Sequence, residues 1–328
     1  MIKKLQLAVN AHYEEVQASI KLEDIEEKFD MWFSRFFGLF FAKIGYKLNM
    51  TPTQVSLASL ITGVIGGIML YFQYDLTITL WASFLITMAG VLDSADGQLA
   101  RMSNQSTELG RIIDGAIDNA VFVVAYIAGC TYFYQGDYGW QIYLLGVPAG
   151  LIGHSYSSAV YELYKTEYLY YVTQADYAKI ASLDEIKQKL KEHKGINKLL
   201  FWMYYDYTKK QHWLSTRTPE MRATFEKYAF NPNTKEKFAN MYREMIKPTM
   251  IWWALVGGTN VHRTLLMVFS IFGRFDLYLV VVLLKMIPFL IVSQLQKARD
   301  EKLLEQLEDN CSSKPSQQLI QSRLLETA

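Results

Sequence analysis

The sequence predicts an all-α integral membrane protein: a six-helix bundle with an N-terminal amphipathic interfacial helix and a cytoplasmic helical insertion. Three observations predict this class: six long apolar segments, an aromatic and basic stretch before the first, and a charged stretch after the fourth. Each segment approaches the roughly 20 apolar residues that span a bilayer. The segments are 53–72, 76–92, 112–133, 140–160, 248–272 and 275–292. The alternative, a soluble all-α protein, is disfavoured because several segments are apolar around the whole helix.

Composition excludes several other classes of protein. The chain has 328 residues, a formal net charge of +1 and no basic stripe of a recognisable module, so nucleic-acid binding is not expected. Cys130 and Cys311 match no metal spacing and suggest no disulfide framework. Residues 1–15 contain no apolar run, so we expect no cleaved signal peptide.

The stretch over 22–48 is typical of a helix lying in the membrane interface. Aromatic side chains recur there at helical spacing among basic ones. The aromatic residues are Phe29, Trp32, Phe33, Phe36, Phe37, Phe40 and Phe41, and the basic ones are Lys28, Arg35 and Lys43. An extension of the first span or a core-packing helix remains the alternative. Thr51, Pro52 and Thr53 then predict a helix start, with proline in the first turn.

The distribution of lysine and arginine predicts the orientation of the spans. The first 50 residues, the connection between spans two and three, and the stretch between spans four and five carry these residues, whereas the turns at 71–75 and 135–139 carry none. Because such residues favour cytoplasmic loops, both termini should be cytoplasmic. We expect a multi-pass protein whose carboxylate-rich segment faces the cytoplasm, in the inner membrane if the source is bacterial.

This pattern divides the chain into five parts. They are an N-terminus with the amphipathic helix (1–50), spans one to four (51–161), a cytoplasmic helical insertion (162–247), spans five and six (248–296) and a cytoplasmic tail (297–328). The insertion should consist of helices interrupted near Gly195 and around Asn231, Pro232 and Asn233. The tail should begin as a charged helix and end in a mobile Ser/Gln-rich segment.

Four carboxylates occur between two apolar segments. Asp93 and Asp96 are three residues apart, and Asp114 and Asp118 are four apart, so each pair would project from one face of a helix. Carboxylates beside a membrane need neutralising, and one or two divalent cations would do this. Gly97 allows close approach of a ligand, and Arg101 suits phosphate. A solvated acidic face is the alternative, but the apolar flanks argue against it.

These residues resemble the signature of the CDP-alcohol phosphotransferases, membrane enzymes of phospholipid synthesis. The pattern Asp-x2-Asp-Gly-x2-Ala-Arg-x8-Gly-x3-Asp-x3-Asp is filled at all its fixed positions, from Asp93 to Asp118. The resemblance implies six spans, an amphipathic helix before span one, and a motif that joins spans two and three at the cytoplasmic side. The insertion over 162–247 departs from compact members of the family.

The resemblance also implies a role for each matching residue. Asp93, Asp96 and Asp114 would ligate two Mg²⁺ or Mn²⁺ ions, and Asp118 would complete the second site and act as the general base. The CDP group would be held by Gly97, Arg101, Thr107, Thr53, Gln54 and Ser56. Thr107 could instead be a helix N-cap, and Gly110 a helix-packing residue. A homodimer is expected from the resemblance alone.

Ionisable side chains also occur inside the predicted spans five and six. His262, Arg263 and Lys285 could neutralise the carboxylates, bind phosphate or orient a polar acceptor. Alternatively, a break at Gly257 and Gly258 would leave His262 and Arg263 near an interface. His154 and Tyr156, near the cytoplasmic end of span four, could line the same pocket, although satisfied packing explains them better. We count Arg263 and Lys285 among the candidate ligand-binding residues.

The predicted function is transfer of a substituted phosphoryl group from a CDP-linked donor to an alcohol, with release of CMP. In one version CDP-diacylglycerol is the donor, and a polyol such as inositol, inositol phosphate or glycerol phosphate is the acceptor. In the other, a CDP-amino alcohol donates its head group to diacylglycerol or ceramide. The basic residues in spans five and six favour the first version. A membrane cation transporter is a third hypothesis, disfavoured because no second acidic cluster or repeated half is evident.

Overall fold

The computed structural model describes the chain from residue 22 to residue 312 with short gaps, together with a few N-terminal residues. The described residues are 10, 12–17, 22–25, 28–136, 138–175, 179 and 181–312. Within them every regular element is a helix, which confirms the all-α class. Most of the N-terminal residues checked for a signal peptide and the Ser/Gln-rich tail lie outside these ranges.

The helices follow one another through short connections. In chain order they are α1 (Lys28–Trp32), α2 (Ser34–Lys47), α3 (Pro52–Met69), α4 (Leu76–Met102), α5 (Glu108–Gln135), α6 (Gln141–Pro148), α7 (Ser157–Thr173), α8 (Leu183–Glu192), α9 (Gly195–Leu214), α10 (Pro219–Ala229), α11 (Lys235–Gly257), α12 (Thr259–Ile271), α13 (Phe275–Leu284) and α14 (Met286–Ser312). A π-helical segment, Ala149–Tyr156, joins α6 to α7. The insertion is helical, as predicted, with breaks before Gly195 and across 231–233.

Four helical stretches in the described part of the chain are long and apolar enough to cross a membrane. They are Pro52–Phe72, Leu76–Met102, Glu108–Gln135 and Phe275–Asp309. They correspond to predicted spans one, two, three and six. The first begins as the sequence indicates: Thr51 is the N-cap, Pro52 is the first helical residue, and the Thr51 side chain accepts the N–H of Gln54.

Predicted spans four and five are not single uninterrupted α-helices. Span four contains the π-helical segment, and span five is broken at Gly257 and Gly258, between α11 and α12. A Cβ atom on Gly257 would lie 2.4 Å from the carbonyl oxygen of Ser157, so glycine lets α11 approach α7 at this point. A break at these two glycines is the alternative that the sequence offers for predicted span five. The six-span bundle stays a prediction.

The expectation of one continuous helix over 22–48 is wrong. A 3₁₀ turn occupies Glu23–Ile25, and the backbone leaves the helical region at Phe33, between α1 and α2. Helix α2 buries Gly38, Ala42 and Gly45 on the side that packs against α4, while Phe37 and Phe40 stay exposed. One face of α2 therefore packs against the core, and its placement in a membrane interface stays a prediction.

The described residues form two large apolar cores and two small ones. The two large cores lie as follows. One joins α4, α5, α12 and α13 around Phe122, Phe275 and Tyr278. The other joins α7, α10, α11 and α14, and much of it is aromatic. Its largest fully buried side chains are Tyr164, Tyr168, Tyr242, Phe225, Phe238 and Trp253. The tyrosines of the insertion and its neighbours thus form a core that continues along α7, α11 and α14 from the membrane-spanning region.

A buried ionic network ties the insertion to this core. Arg217, just before α10, donates to Glu167 on α7 at 2.7 Å and to Asp300 on α14 at 2.8 and 2.9 Å. Arg222 donates to the other Glu167 oxygen at 2.6 Å. Burial alone would raise the pKa of Glu167, but the charges of Arg217 and Arg222 hold that pKa below its ordinary value.

Candidate active site

A tight connection between α4 and α5 brings the four motif carboxylates together. After Met102 the chain turns through Asn104, whose φ of 53° lies in the left-handed region that asparagine tolerates. The Gln105 N–H donates to the Ala100 carbonyl at 2.8 Å, which closes the end of α4. Thr107 then caps α5 by accepting the Gly110 N–H at 3.0 Å. The two carboxylate pairs are therefore carried on adjacent helices.

Three of the carboxylates converge on one point. One oxygen from each of Asp93, Asp96 and Asp114 lies within 4.8 Å of the others. Asp96 is buried, and the Ser56 hydroxyl of α3 donates to its Oδ2 at 2.5 Å. Converging carboxylate oxygens, one of them buried, suit a hard divalent cation such as Mg²⁺ or Mn²⁺. This donor set could hold a metal ion.

The fourth carboxylate is paired with a cation from the other half of the chain. Asp118 Oδ1 accepts a hydrogen bond from Arg263 Nη2 on α12 at 3.2 Å. Asn260 Oδ1 accepts from Arg263 Nη1 at 3.1 Å. Gly90 on α4 makes room for the guanidinium, because a Cβ atom there would lie 2.0 Å from Nη1. Of the roles left open for Arg263, the structure places this residue against the carboxylates.

The other ionisable side chains of the predicted spans form a buried polar group behind this pair. The His154 and His262 rings stack with their centroids 4.3 Å apart. His262 Nε2 lies 3.3 Å from Lys285 Nζ and 3.3 Å from Ser157 Oγ. Lys285, a candidate ligand-binding residue, thus contacts His262. Arg263 and Lys285 belong to one continuous polar region that extends from Asp118.

Several predicted nucleotide-binding residues have local structural partners. Gln54 is the N3 residue of the capping box of α3, and its Oε1 accepts the Thr51 N–H at 2.9 Å. Thr53 is exposed in the same first turn. Thr107 is the N-cap of α5, and a Cβ atom on Gly110 would approach its Oγ1 at 3.0 Å. The packing role suggested for Gly110 is wrong, since this capping oxygen, not another helix, is the nearest group.

Gly97 and Arg101 share one side of α4, one turn apart. A Cβ atom on Gly97 would come no closer than 3.6 Å to a described neighbour, Arg101 Nη1. Close packing inside the protein therefore does not explain the glycine. Space above Gly97 and beside the Arg101 guanidinium is what a phosphate-bearing ligand would need.

Sequence reasoning missed residues from other elements that lie near the motif. Glu162 on α7 lies within electrostatic range of Asp114 and Asp118. Tyr207 on α9 lies within range of Glu162 and Asp118. Gly90 lies against the Arg263 guanidinium, and Asn260 accepts a hydrogen bond from it. No spacing in the sequence connects these residues to the motif, because each is brought there by tertiary packing.

The fold and the acidic site define a class: an all-helical membrane protein that carries converging carboxylates at the junction of two adjacent membrane-spanning helices. Residues 49–163 match the family model described as CDP-alcohol phosphatidyltransferase. Over these residues the chain is similar to that family, whose enzymes transfer phosphate-containing groups.

Two relatives match over parts of the chain. An uncharacterised protein of Aquifex aeolicus is 33% identical over 93 residues, which cover 28% of this chain and 45% of the relative. A CMP-forming cardiolipin synthase of Streptomyces coelicolor is 38% identical over 52 residues, which cover 16% of this chain and 24% of the relative. The chain thus spans less than half the length of either curated relative. No solved structure matches the chain significantly.

Proposed function

We propose that this protein transfers a substituted phosphoryl group from a CDP-linked donor to an alcohol and releases CMP. The observation that carries the proposal is the convergence of Asp93, Asp96 and Asp114 beside the Asp118–Arg263 pair, within a domain of the CDP-alcohol phosphatidyltransferase family. The relative named as a CMP-forming synthase supports CMP as the released product. The site requires no covalent phosphoenzyme, because the acceptor hydroxyl can attack phosphorus directly.

Each carboxylate of the converging group has an assigned part. Asp93, Asp96 and Asp114 hold Mg²⁺ or Mn²⁺, with Asp118 completing a second site, and two such ions would neutralise the pyrophosphate and the departing CMP. Ser56 keeps the Asp96 carboxylate oriented through its 2.5 Å hydrogen bond. Arg101 binds the phosphates above Gly97. Thr53, Gln54 and Thr107 border the cytidine pocket from the helix ends that they cap or begin.

Asp118 is proposed as the general base. It accepts the proton of the acceptor hydroxyl as that oxygen attacks phosphorus. Arg263 fixes the orientation of the carboxylate through Oδ1, which leaves Oδ2 to face the acceptor. Asn260 fixes Arg263 in turn. In this arrangement Arg263 acts as a positioning residue and also supplies positive charge beside the reacting phosphate.

For the substrates we propose CDP-diacylglycerol as donor and a polyol as acceptor. Arg263 and Lys285 place positive charge in the polar region behind Asp118, and Ser157 and His262 add groups that can bind hydroxyls. Such a region suits a polyhydroxyl or anionic alcohol better than the hydroxyl of a neutral lipid. We further propose that the site faces the cytoplasm, on the side where lysine and arginine accumulate in the connections.

The test is release of CMP by the purified full-length protein in lipid vesicles. We expect CMP only when Mg²⁺ or Mn²⁺ is present, and Asp118→Asn should lower the rate by about 10²- to 10⁴-fold, the usual contribution of a general base. A screen of both donor types and several alcohols, with products identified by mass, identifies the substrates. Turnover without metal would contradict the metal mechanism.

Asp75→Asn is the matched control. Asp75 is the N-cap of α4, at the other end of this helix, and accepts the Thr77 N–H at 2.7 Å. Asparagine caps a helix as well as aspartate does, so this variant should keep wild-type activity. Full activity in Asp118→Asn would refute the assignment of the base.

A further inference from the structure

Helix α9 of the insertion has an apolar outer face that no other described element covers. Ile196, Leu199, Trp202 and Met203 follow one another at helical spacing, and Trp213 lies further along on the same side, beyond the exposed ion pair of Asp206 with Lys210. Their side chains are large and exposed, by 67% for Ile196 and 76% for Trp213. An isolated exposed leucine needs no explanation, but a stripe of this length on one helix does.

The opposite face of α9 is fixed to the membrane-spanning helices. Phe201, Thr208 and Gln211 are buried there, and Gln211 Nε2 donates to the Ala159 carbonyl of α7 at 3.0 Å. Tyr204, on the same face, lies within electrostatic range of Glu108 and Arg111 in the first turn of α5. This contact sets the height of α9 relative to the membrane, because Glu108 begins one of the helices long enough to span it.

A second contact holds the preceding helix at the same height. Lys189 of α8 forms an ion pair with Glu108. Helix α9 itself contacts α5 and the π-helical segment, and α5 also carries exposed apolar side chains, such as Val123 and Ile127, further along the same helix. The stripe on α9 is therefore carried by a helix that packs directly on α5, one of the helices long and apolar enough to cross a membrane.

The charges around the stripe indicate which partner it suits. Lys194, Lys198 and Lys209 are exposed beside or just before it, and the tryptophans Trp202 and Trp213 lie on it. Tryptophan on the apolar side with lysine on the flanks is the composition of helices at the boundary between lipid headgroups and acyl chains. Protein–protein interfaces, in contrast, are depleted of lysine.

We propose that the outer face of α9, formed by Ile196, Leu199, Trp202, Met203 and Trp213, docks on the lipid surface beside the catalytic end of the protein. The insertion is then an interfacial element and not a domain held free in the cytoplasm. Its inner face, with Tyr204 and Tyr207, rests against α5 near the motif, while its outer face rests in lipid. The partner is the bilayer itself, and the flanking lysines favour anionic headgroups.

The test uses nitroxide labels on the full-length protein in vesicles of phosphatidylcholine with a minor fraction of phosphatidylglycerol. Leu199→Cys and, as a matched control, Glu226→Cys on the exposed side of α10 are labelled after replacement of Cys130 and Cys311 by alanine. The label at position 199 should collide more often with oxygen, which is enriched in lipid, than with a water-soluble nickel chelate. The label at position 226 should show the reverse ratio.

Two results would overturn the proposal. The label at position 199 could follow the control and report water, or it could be shielded from both reagents, as a second copy of the chain on this face would cause. If the labelled variants do not reconstitute, the intrinsic fluorescence decides. Lipids brominated near the headgroup should quench the wild type more than Trp202→Phe or Trp213→Phe, and equal quenching would refute docking.

Discussion

Gly90→Ala tests the contact between Arg263 and Asp118 while both of these residues keep their identity. The added methyl group would lie 2.0 Å from Arg263 Nη1 and 2.7 Å from Cζ, whereas nonbonded atoms pack at about 3.5 Å. The atoms in conflict are the end of a flexible side chain and not helix backbone. We therefore expect the guanidinium to move by about 1.5 Å, the difference between these distances, while α4 and α12 keep their positions.

This movement is large compared with the margin of the hydrogen bond. Arg263 Nη2 lies 3.2 Å from Asp118 Oδ1, and a bond beyond about 3.5 Å is lost. Hydrogen bonds to charged groups contribute about 1.5–3 kcal/mol. If this contact is made in the transition state, kcat/KM should fall by about 10- to 150-fold. The unfolding temperature should change little, because the clash is relieved by one side chain.

The assay is CMP release, with thermal unfolding measured on the same samples. Gly150→Ala is the matched control: it adds the same methyl group to the π-helical segment, where the nearest atom, Tyr126 Cδ1, is 3.4 Å away in ordinary contact. This control should retain the activity of the wild type. It separates the effect on Arg263 from a general effect of replacing glycine in a membrane-spanning region.

A double-mutant cycle makes the reasoning refutable. If Gly90→Ala acts only through the guanidinium, then adding it to Arg263→Ala should cause no further loss, and the two effects should be strongly non-additive. Additive losses would show that Gly90 acts through another route. Wild-type activity in folded Gly90→Ala would show that the pairing of Arg263 with Asp118 does not matter for turnover.

Two further predictions concern the buried polar contacts. Ser56→Ala removes the hydrogen bond to Asp96, so kcat/KM should fall by about fivefold, equivalent to about 1 kcal/mol, and most at limiting Mg²⁺; an unchanged metal titration would contradict this. Glu167→Gln removes one of the two carboxylate partners of the buried Arg217, leaves the network of Arg217, Arg222 and Asp300 with a net positive charge, and should lower the free energy of unfolding by about 3–5 kcal/mol, whereas the exposed control Glu301→Gln should change it little. Because the pKa of Glu167 is lowered in the folded state, this stabilisation is present above about pH 4 and lost as the pH falls through that lowered pKa, so the wild type and Glu167→Gln should converge in acid-unfolding curves; a constant difference would refute the linkage.

The local parts of the site could be predicted from the sequence. Asp93 and Asp96 lie on α4, and Asp114 lies on α5, which follows after a short connection. Their spacing is therefore a property of two consecutive helices. Two helix starts could also be predicted: Thr51 and Thr107 are N-caps, as their residue types and neighbours indicate. For Gln54 the sequence predicts a nucleotide contact, whereas in the structure its side chain accepts a hydrogen bond in the capping box.

The remaining parts depend on packing between distant segments. Gly90 approaches Arg263 only because α12 packs against α4, and Glu162 of α7 comes within electrostatic range of Asp118 of α5 through tertiary packing. A pattern within one helix carries no information on such packing. The same reason explains the break at Phe33: burial of one side of α2 against α4 competes with the continuous helix that the aromatic spacing favours.

The buried position of Arg217 has a consequence for how the chain can be rearranged. Its side chain comes from the insertion. Its partners Glu167 and Asp300 lie on α7, which begins before the insertion and continues into it, and on α14, which follows the insertion. A shortened chain that keeps α7 and α14 but lacks the rest of the insertion would keep two buried carboxylates and lose the cation between them, an arrangement far less stable than a chain without any of the three. The insertion is therefore not an interchangeable cassette. Gain or loss of this segment would require concerted change at three distant positions, so chimeras that exchange it should exchange Glu167 and Asp300 as well.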